Sequence, residues 1–160
     1  MMIESPENDI FFDNLPIFCD LTPTQLAQAR AVMDIVRVGA DHTLMSVDTV
    51  GEEVYIVAEG SVKIYATSDF DDGDMLLGLR GPGEVLGEMS VLDGMKRSAT
   101  VVTQEPTVLF QLTRANFWEV LWEMPPIPYN LVRSLTRRTR VLTSQVQAFS
   151  ALDVQGRLAR

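Results

Sequence analysis

The chain has 160 residues, 46% of them hydrophobic, with 13 Lys and Arg against 22 Asp and Glu and a formal net charge of -9. That length suits one domain, or one domain with a fragment attached, and is enough to bury a sizeable core, so a disordered chain is excluded. Cys19 is the only cysteine and His42 the only histidine, which excludes an internal disulfide, a cysteine-held iron-sulfur cluster, a cysteine zinc site and a multi-histidine metal centre.

The longest uncharged stretch, Val141 to Leu152, has 12 residues, several of them polar, against the roughly 18 apolar residues that a membrane span requires. The first nine residues carry Glu4, Glu7 and Asp9 and no base, unlike a secretory leader. The expectation is a cytoplasmic protein with no membrane partner. An acidic chain repels phosphate backbones, which disfavours nucleic-acid binding by these residues alone. The charge is nevertheless uneven: residues 1–132 hold 7 bases and 21 acids, whereas residues 133–160 hold 6 bases and 1 acid.

In chain order, Asp9 to Asp20 mixes Phe11, Phe12, Leu15, Ile17 and Phe18 with Asp and Pro and predicts a short helical or irregular packing arm. Within it, Cys19 is expected as a buried small side chain. Thr22-Pro23-Thr24-Gln25 has the form of an N-cap, a first-turn proline and a Gln three residues past the cap, so a helix is predicted to about Met33. From Ile35 to Thr113 the pattern shortens to runs rich in Val, Ile, Leu and Tyr, which predict strands at 35–38, 43–47, 53–58, 61–67, 74–80, 98–103 and 107–113. Glu59-Gly60 and Asp72-Gly73 read as tight turns between adjacent antiparallel strands. Such spacing suggests a sandwich or barrel.

Arg114 to Glu123 predicts an amphipathic helix whose aromatic face, Phe117, Trp118 and Trp122 with Leu121, is expected in the core. The run Met124-Pro125-Pro126-Ile127-Pro128 then ends one helix and starts another. A long helix is predicted over 127–152, with Leu131, Leu135, Leu142, Val146, Phe149 and Leu152 on one stripe. That stripe suits either a seam with a second copy or packing on the chain's own barrel. Arg133, Arg137, Arg138 and Arg140 read as a solvated face, although they could also meet an acidic barrel or DNA backbone. Asp153 is expected to cap a new helix starting at Val154.

The segment from Gly83 to Val101 carries the chemistry. A strand ending at Leu86 turns at Gly87, a brief helix spans Glu88 to Leu92, and Arg97 stands at the exit of the following loop. Backbone N-H groups at a helix start and a guanidinium fork both suit phosphate. Glu88 beside them suits hydroxyl donors, as a ribose provides. Asp69, Asp71, Asp72 and Asp74 fail the calcium-loop spacing, because Gly73 stands fifth and no glutamate stands twelfth. They predict a solvated hairpin tip. His42 is expected at the surface.

Gly87, Glu88, Arg97, Ala99, Thr100 and Val101 resemble the phosphate-binding cassette of cyclic nucleotide-binding domains, and Tyr55 to Lys63 resembles that family's hairpin. Leu135 to Arg138, Val146 and Leu152 to Ala159 resemble the dimerisation helix and hinge of Crp/Fnr transcription regulators. The resemblance implies a mainly β fold with flanking helices: a double-stranded β-helix, the jelly-roll or cupin-like barrel, over 1–124, a dimerisation helix over 125–152, and the start of a truncated or absent DNA-binding domain over 153–160. It implies a non-enzymatic effector sensor that binds a cyclic nucleotide, cAMP foremost, between barrel and long helix. The sensor would be a homodimer through 127–152 and would reach DNA only through a C-terminal domain absent from this chain.

Glu88 would take the ribose 2'-hydroxyl, Arg97 and Ser98 the cyclic phosphate, and Gly87, Met89 and Ser90 would complete the cassette. Neither a cofactor nor a metal is implied. By alignment on the hinge, Leu142 and Thr143 fall where such regulators place two adenine-contacting hydroxyl residues, one of them reaching across the dimer; Ser144 follows directly. A second departure is Asp48, where the family commonly has glycine, expected to alter that turn locally without touching the cassette. The alternative reading is a ligandless dimerisation or interaction module that keeps the cassette as a relic, or a sensor of a different small molecule.

Overall fold

The computed structural model describes residues 12–66 and 73–158, with side chains through residue 148. A 3-10 turn (Pro16–Phe18) and helix α1 (Pro23–Ala31) precede strands β1 (Asp34–Val38), β2 (Thr43–Met45), β3 (Glu53–Glu59), β4 (Val62–Ala66), β5 (Met75–Arg80) and β6 (Val85–Leu86). Helix α2 (Glu88–Asp93), strands β7 (Thr100–Thr103) and β8 (Thr107–Thr113), and helices α3 (Arg114–Glu123) and α4 (Pro126–Leu158) follow. The strands form two four-stranded antiparallel sheets, β1-β8-β3-β6 and β2-β7-β4-β5, packed as a jelly roll. No described helix is long and apolar enough to cross a membrane.

The near-continuous apolar runs in β3 and β8 have a simple cause: the first sheet is covered on both faces. Alternate residues Val54, Ile56 and Ala58 of β3, with Phe110 and Leu112 of β8, face Phe12, Phe18, Ala29, Phe117 and Leu131 of the helical layer. Their neighbours Val57 and Leu109 turn inward onto Val62, Leu86 and Val101 between the sheets. Burying each such side chain is worth about 1.5–3 kcal/mol.

The capping box at Thr22 forms as expected, with the Thr22 hydroxyl accepting from Gln25 N-H and the Gln25 side chain accepting from Thr22 N-H. The strand between Ser98 and Thr103 starts later, at Thr100. The expected β4-β5 hairpin pairs Ala66 with Met75, while most of its aspartate-rich tip, residues 67–72, lies outside the described residues. His42 is exposed, as expected.

Other expectations are corrected. Glu59-Gly60 is no hairpin, because β3 and β4 belong to different sheets; Gly60 is the corner where the chain crosses between them. Cys19 is exposed rather than buried, since Ile17 and Phe18 take the inward positions of the turn and Asn130 Nδ2 binds the Cys19 carbonyl at 2.9 Å. Trp122 is 76% exposed. The inward face of α3 is Phe117 and Val120, with Trp118 and Leu121 partly buried against the core as expected, and Trp122 stacks on Trp118 from the solvent side. The stripe on α4 divides: Leu131 is buried in the chain's own core and Leu135 packs against it, whereas Leu142 and Val146 are exposed. The α4 backbone continues through Asp153 to Leu158 with no restart.

Gly60 has φ +81°, and a Cβ there would lie 2.6 Å from the Pro106 carbonyl and 2.7 Å from Thr107 Oγ1. Gly60→Ala is therefore expected to destabilise the fold by about 2 kcal/mol. Gly39→Ala, with open space around its Cβ, is expected to be neutral or slightly stabilising. Urea unfolding of both variants measures the contrast, and equal midpoints would contradict it.

Candidate functional site

Strand β6 delivers the chain to Gly87, whose φ of 79° is the left-handed turn that starts α2. Gly94, at φ 72°, ends α2, and the loop returns through Arg97. This side chain is 5% exposed. Its Nη1 donates to the Gly87 carbonyl and to Ser90 Oγ, each at 2.8 Å. Its Nη2 donates to the Glu53 carbonyl at 2.7 Å and lies 3.7 Å from the Glu53 carboxylate.

A Cβ on Gly51 would collide with Nε and the central carbon of this guanidinium, and one on Gly87 would collide with Nη1. Both glycines are thus space for Arg97. Among the described residues, Arg97 Nε has no hydrogen-bond partner.

Glu88 is 3% exposed. Its carboxylate accepts from Arg138 Nη1 of α4 at 2.9 Å, and Arg138 Nε also donates to Glu84 at 2.9 Å. Arg137 joins Glu84 too, and Arg80 stands 3.9 Å from it. The arginine run is therefore not simply a solvated face: its central pair binds the acidic barrel, because Glu84 and Glu88 flank β6 where α4 passes. Burial pushes the Glu88 carboxyl above its ordinary range, while Arg138 and a backbone hydrogen bond pull it down.

A cavity of about 530 Å³ opens between the cassette and α4. Gly87, Glu88, Met89, Ser90, Arg97 and Ser98 line one end; Met45, Ile64, Leu77 and Val101 supply apolar walls. From α4 come Leu135, Arg138, Thr139 and Leu142. Of the helix positions expected from resemblance, Leu142 lines this cavity. Thr143 and Ser144 do not: both are exposed, and their hydroxyls donate to the Thr139 and Arg140 carbonyls one turn back. Arg80, Arg138 and Thr139 are cavity residues that sequence reasoning missed. Arg138 and Thr139 had a signal, their spacing of three and four from Leu135.

Asp48 takes the left-handed conformation, φ 62°, that a glycine would adopt there, a region aspartate tolerates better than most residues. The expectation that this turn stays clear of the cassette is corrected. Asp48 N-H donates to the Arg97 carbonyl at 3.0 Å, and Arg97 N-H to the Thr49 carbonyl at 2.8 Å.

A jelly roll with a buried cation and a buried carboxylate at one end of a cavity has the architecture of a small-ligand sensor domain. The sequence profile of the cyclic nucleotide-binding domain matches residues 35–123, and the chain belongs to that family. It is similar to a "Cyclic AMP receptor protein" of Thermus thermophilus, 30% identical over 144 residues, covering 90% of this chain and 66% of that one. It is also similar to a "CRP-like cAMP-activated global transcriptional regulator" of Mycobacterium tuberculosis, 30% identical and covering 90% of this chain and 64% of that one. The chain thus spans slightly less than two thirds of these relatives. The crystal structure of the Thermus thermophilus Catabolite Activator Protein superposes with a TM-score of 0.74 at 30% identity, covering 84% of this chain and 63% of that one.

Arg138→Ala leaves Glu88 buried without its cation, at an expected cost of about 3 kcal/mol near neutral pH. Because folding raises the Glu88 pKa, its neutral form favours the fold. That contribution is present below the ordinary carboxylate range and is lost as pH rises through the raised folded value. Without Arg138 the pKa rises further, so the variant's deficit should be smaller at about pH 5 than at about pH 7.5. Parallel denaturation of wild type and variant at both pH values measures this, and a pH-independent deficit would contradict it.

Proposed function

We propose that this chain is the effector-sensing part of a Crp-type transcription regulator and that it binds a cyclic nucleotide monophosphate, cAMP foremost, in the 530 Å³ cavity. The observation that carries this reading is the placement of buried Arg97 and buried Glu88 at one end of a cavity whose other wall is the long helix. The volume lies within the roughly 300–1,000 Å³ typical of ligand sites. A phosphate oxygen would share or displace the partners that Arg97 Nη1 and Nη2 now hold, and Ser98, exposed at the cavity's edge, adds a hydroxyl.

Glu88 can accept from a ribose hydroxyl. That hydroxyl would share or displace Arg138, so ligand and α4 meet at one carboxylate. Occupancy would shift a two-state arrangement of barrel and helix, provided the ligand binds one state better. Exposed Val141, Leu142 and Val146 on α4 support pairing with a second copy, and DNA would be read by a part of the protein outside these residues. The cavity holds its ligand rather than transforming it, and the setting is the cytoplasm.

One observation favours a ligandless module instead. Arg97 and Glu88 already have partners within the chain, so the cassette stands without a guest.

Calorimetric titration with cAMP, cGMP and cyclic dinucleotides separates the two readings. Under the first, Arg97→Ala is expected to weaken cyclic mononucleotide binding about 100-fold, the equivalent of a lost charged hydrogen-bond pair, while the oligomeric state in sedimentation is unchanged. Wild-type silence toward every nucleotide would support the ligandless module. Unchanged affinity in the variant would remove Arg97 from the site.

A further inference from the structure

A second cavity, of about 340 Å³, lies between β5 and α4. It adjoins the first and shares Arg80 and Arg138 with it, but no cassette residue lines it. On α4 its lining runs from Arg137 through Val141 to Gln145, which is about 12 Å of helix. Steps of four keep these three on one side. One end of the cavity is therefore cationic, its middle apolar and its other end neutral and polar. Leu77 and Leu79 of β5 extend the apolar part, and Leu79 and Val141 are each more than half exposed.

At the cationic end three guanidiniums meet one carboxylate. Glu84 has both oxygens taken, Oε1 by Arg137 Nη2 and Oε2 by Arg138, whose Nε donates at 2.9 Å. Arg80 Nε stands 3.9 Å from Glu84, too far for a hydrogen bond. Arg80 Nη1 donates to the Leu79 carbonyl at 2.8 Å. Among the described residues, Nε and Nη2 of Arg80 have no hydrogen-bond acceptor. This side chain is nevertheless placed, at 23% exposure, over Gly78, where a Cβ would stand 3.2 Å from Nη1. With Glu88 counted on Arg138, three cations face two anions. Burial, then Arg138, hold the Arg80 pKa below the ordinary guanidinium value, and Glu84 and Glu88 offset this only in part.

We propose that this cavity is a second ligand site, for a small organic anion whose carboxylate or phosphate head sits between Arg80 and Arg137 and whose apolar body lies along Leu77, Leu79 and Val141. Such a head supplies the negative charge that the cluster lacks, and a guanidinium fork accommodates either head group. The volume suits a body of about one ring. The site does not depend on the cyclic-nucleotide reading, because Arg97 and Glu88 take no part in it.

The test is calorimetric titration with benzoate, phenyl phosphate and inorganic phosphate, with sodium chloride holding ionic strength constant. Wild type is expected to bind at least one of the two ring-bearing anions at a single site, more tightly than inorganic phosphate, and the two probes show which head is preferred. Arg137→Gln is expected to weaken that binding about fivefold. Val141→Glu, which places a carboxylate one turn from Arg137, is expected to weaken it at least about tenfold. Arg133→Gln removes the same charge from α4 outside the cavity and is expected to change nothing. Equal weakening in Arg137→Gln and Arg133→Gln would reduce the effect to net charge and overturn the proposal. Wild-type silence toward both ring-bearing anions would do the same, as would inorganic phosphate binding as tightly as they do. Loss of binding in Arg97→Ala with none in Arg137→Gln would place the anion in the cassette and overturn it too. Failure of cAMP to bind removes the nucleotide reading and leaves these outcomes unchanged.

Discussion

A guanidinium taken out of water costs several kcal/mol unless its donors are met, and Arg97, at 5% exposure, is such a group. The chain meets them with two carbonyls and a hydroxyl drawn from separate places: Glu53 at the start of β3, Gly87 at the end of β6, and Ser90 within α2. Each donor fixes one of those segments against the others. The main-chain exchange of Arg97 with Asp48 and Thr49 fixes a fourth. Side chains are excluded at Gly51 and Gly87 because the guanidinium fills that space. The left-handed φ at Gly87 and at Asp48 then follows from bringing the surrounding backbone so near.

The long helix is tied to this arrangement through charge. Its first turns are held by apolar packing, Ile127 and Leu131 in the core, and by Asn130 on the Ile17 and Cys19 carbonyls. Beyond Leu135 that packing fades, and Arg138 takes over by spanning Glu84, Glu88 and the Val85 carbonyl. Arg137, 68% exposed at its side chain, adds little by comparison, since water screens such a pair. The helix therefore leaves the barrel at a contact made of ionised groups, where a change in partner at Glu88 is felt directly.

What the sequence made legible follows the same division. The strands showed because each is short, apolar and punctuated, and the Thr22 cap showed because its bonds are local. The cassette showed because its residues are close in sequence and fixed in spacing. The Arg138 bridge to Glu84 and Glu88 did not, since it joins positions some fifty residues apart and no local pattern records which face of a helix meets which strand. Cys19 and Trp122 were misplaced for a related reason. Hydrophobic type predicts burial on average, but at a turn or a helix edge only some neighbours can point inward, and Ile17, Phe18, Phe117 and Val120 hold those positions. Arg138 and Thr139 were missed as cavity residues because the register of α4 against the barrel is set near Leu131 and Leu135, by packing that no local pattern records, and over that face the cavity receives them.

The uneven charge along the chain takes on a local meaning in this light. An excess of acid before residue 133 and of base after it could have signified two independent surfaces, one for solubility and one for a nucleic acid. Instead the basic segment begins where α4 crosses β6, and two of its arginines close on two barrel carboxylates there. Part of the positive charge is thus consumed inside the chain and is not available to a phosphate backbone. The buried member of the acidic pair, Glu88, is also the one whose ionisation burial opposes. The contrast in charge along the sequence thus sets Arg138 of the basic segment as counter-charge beside a buried barrel carboxylate, opposing the burial that pushes the Glu88 pKa up.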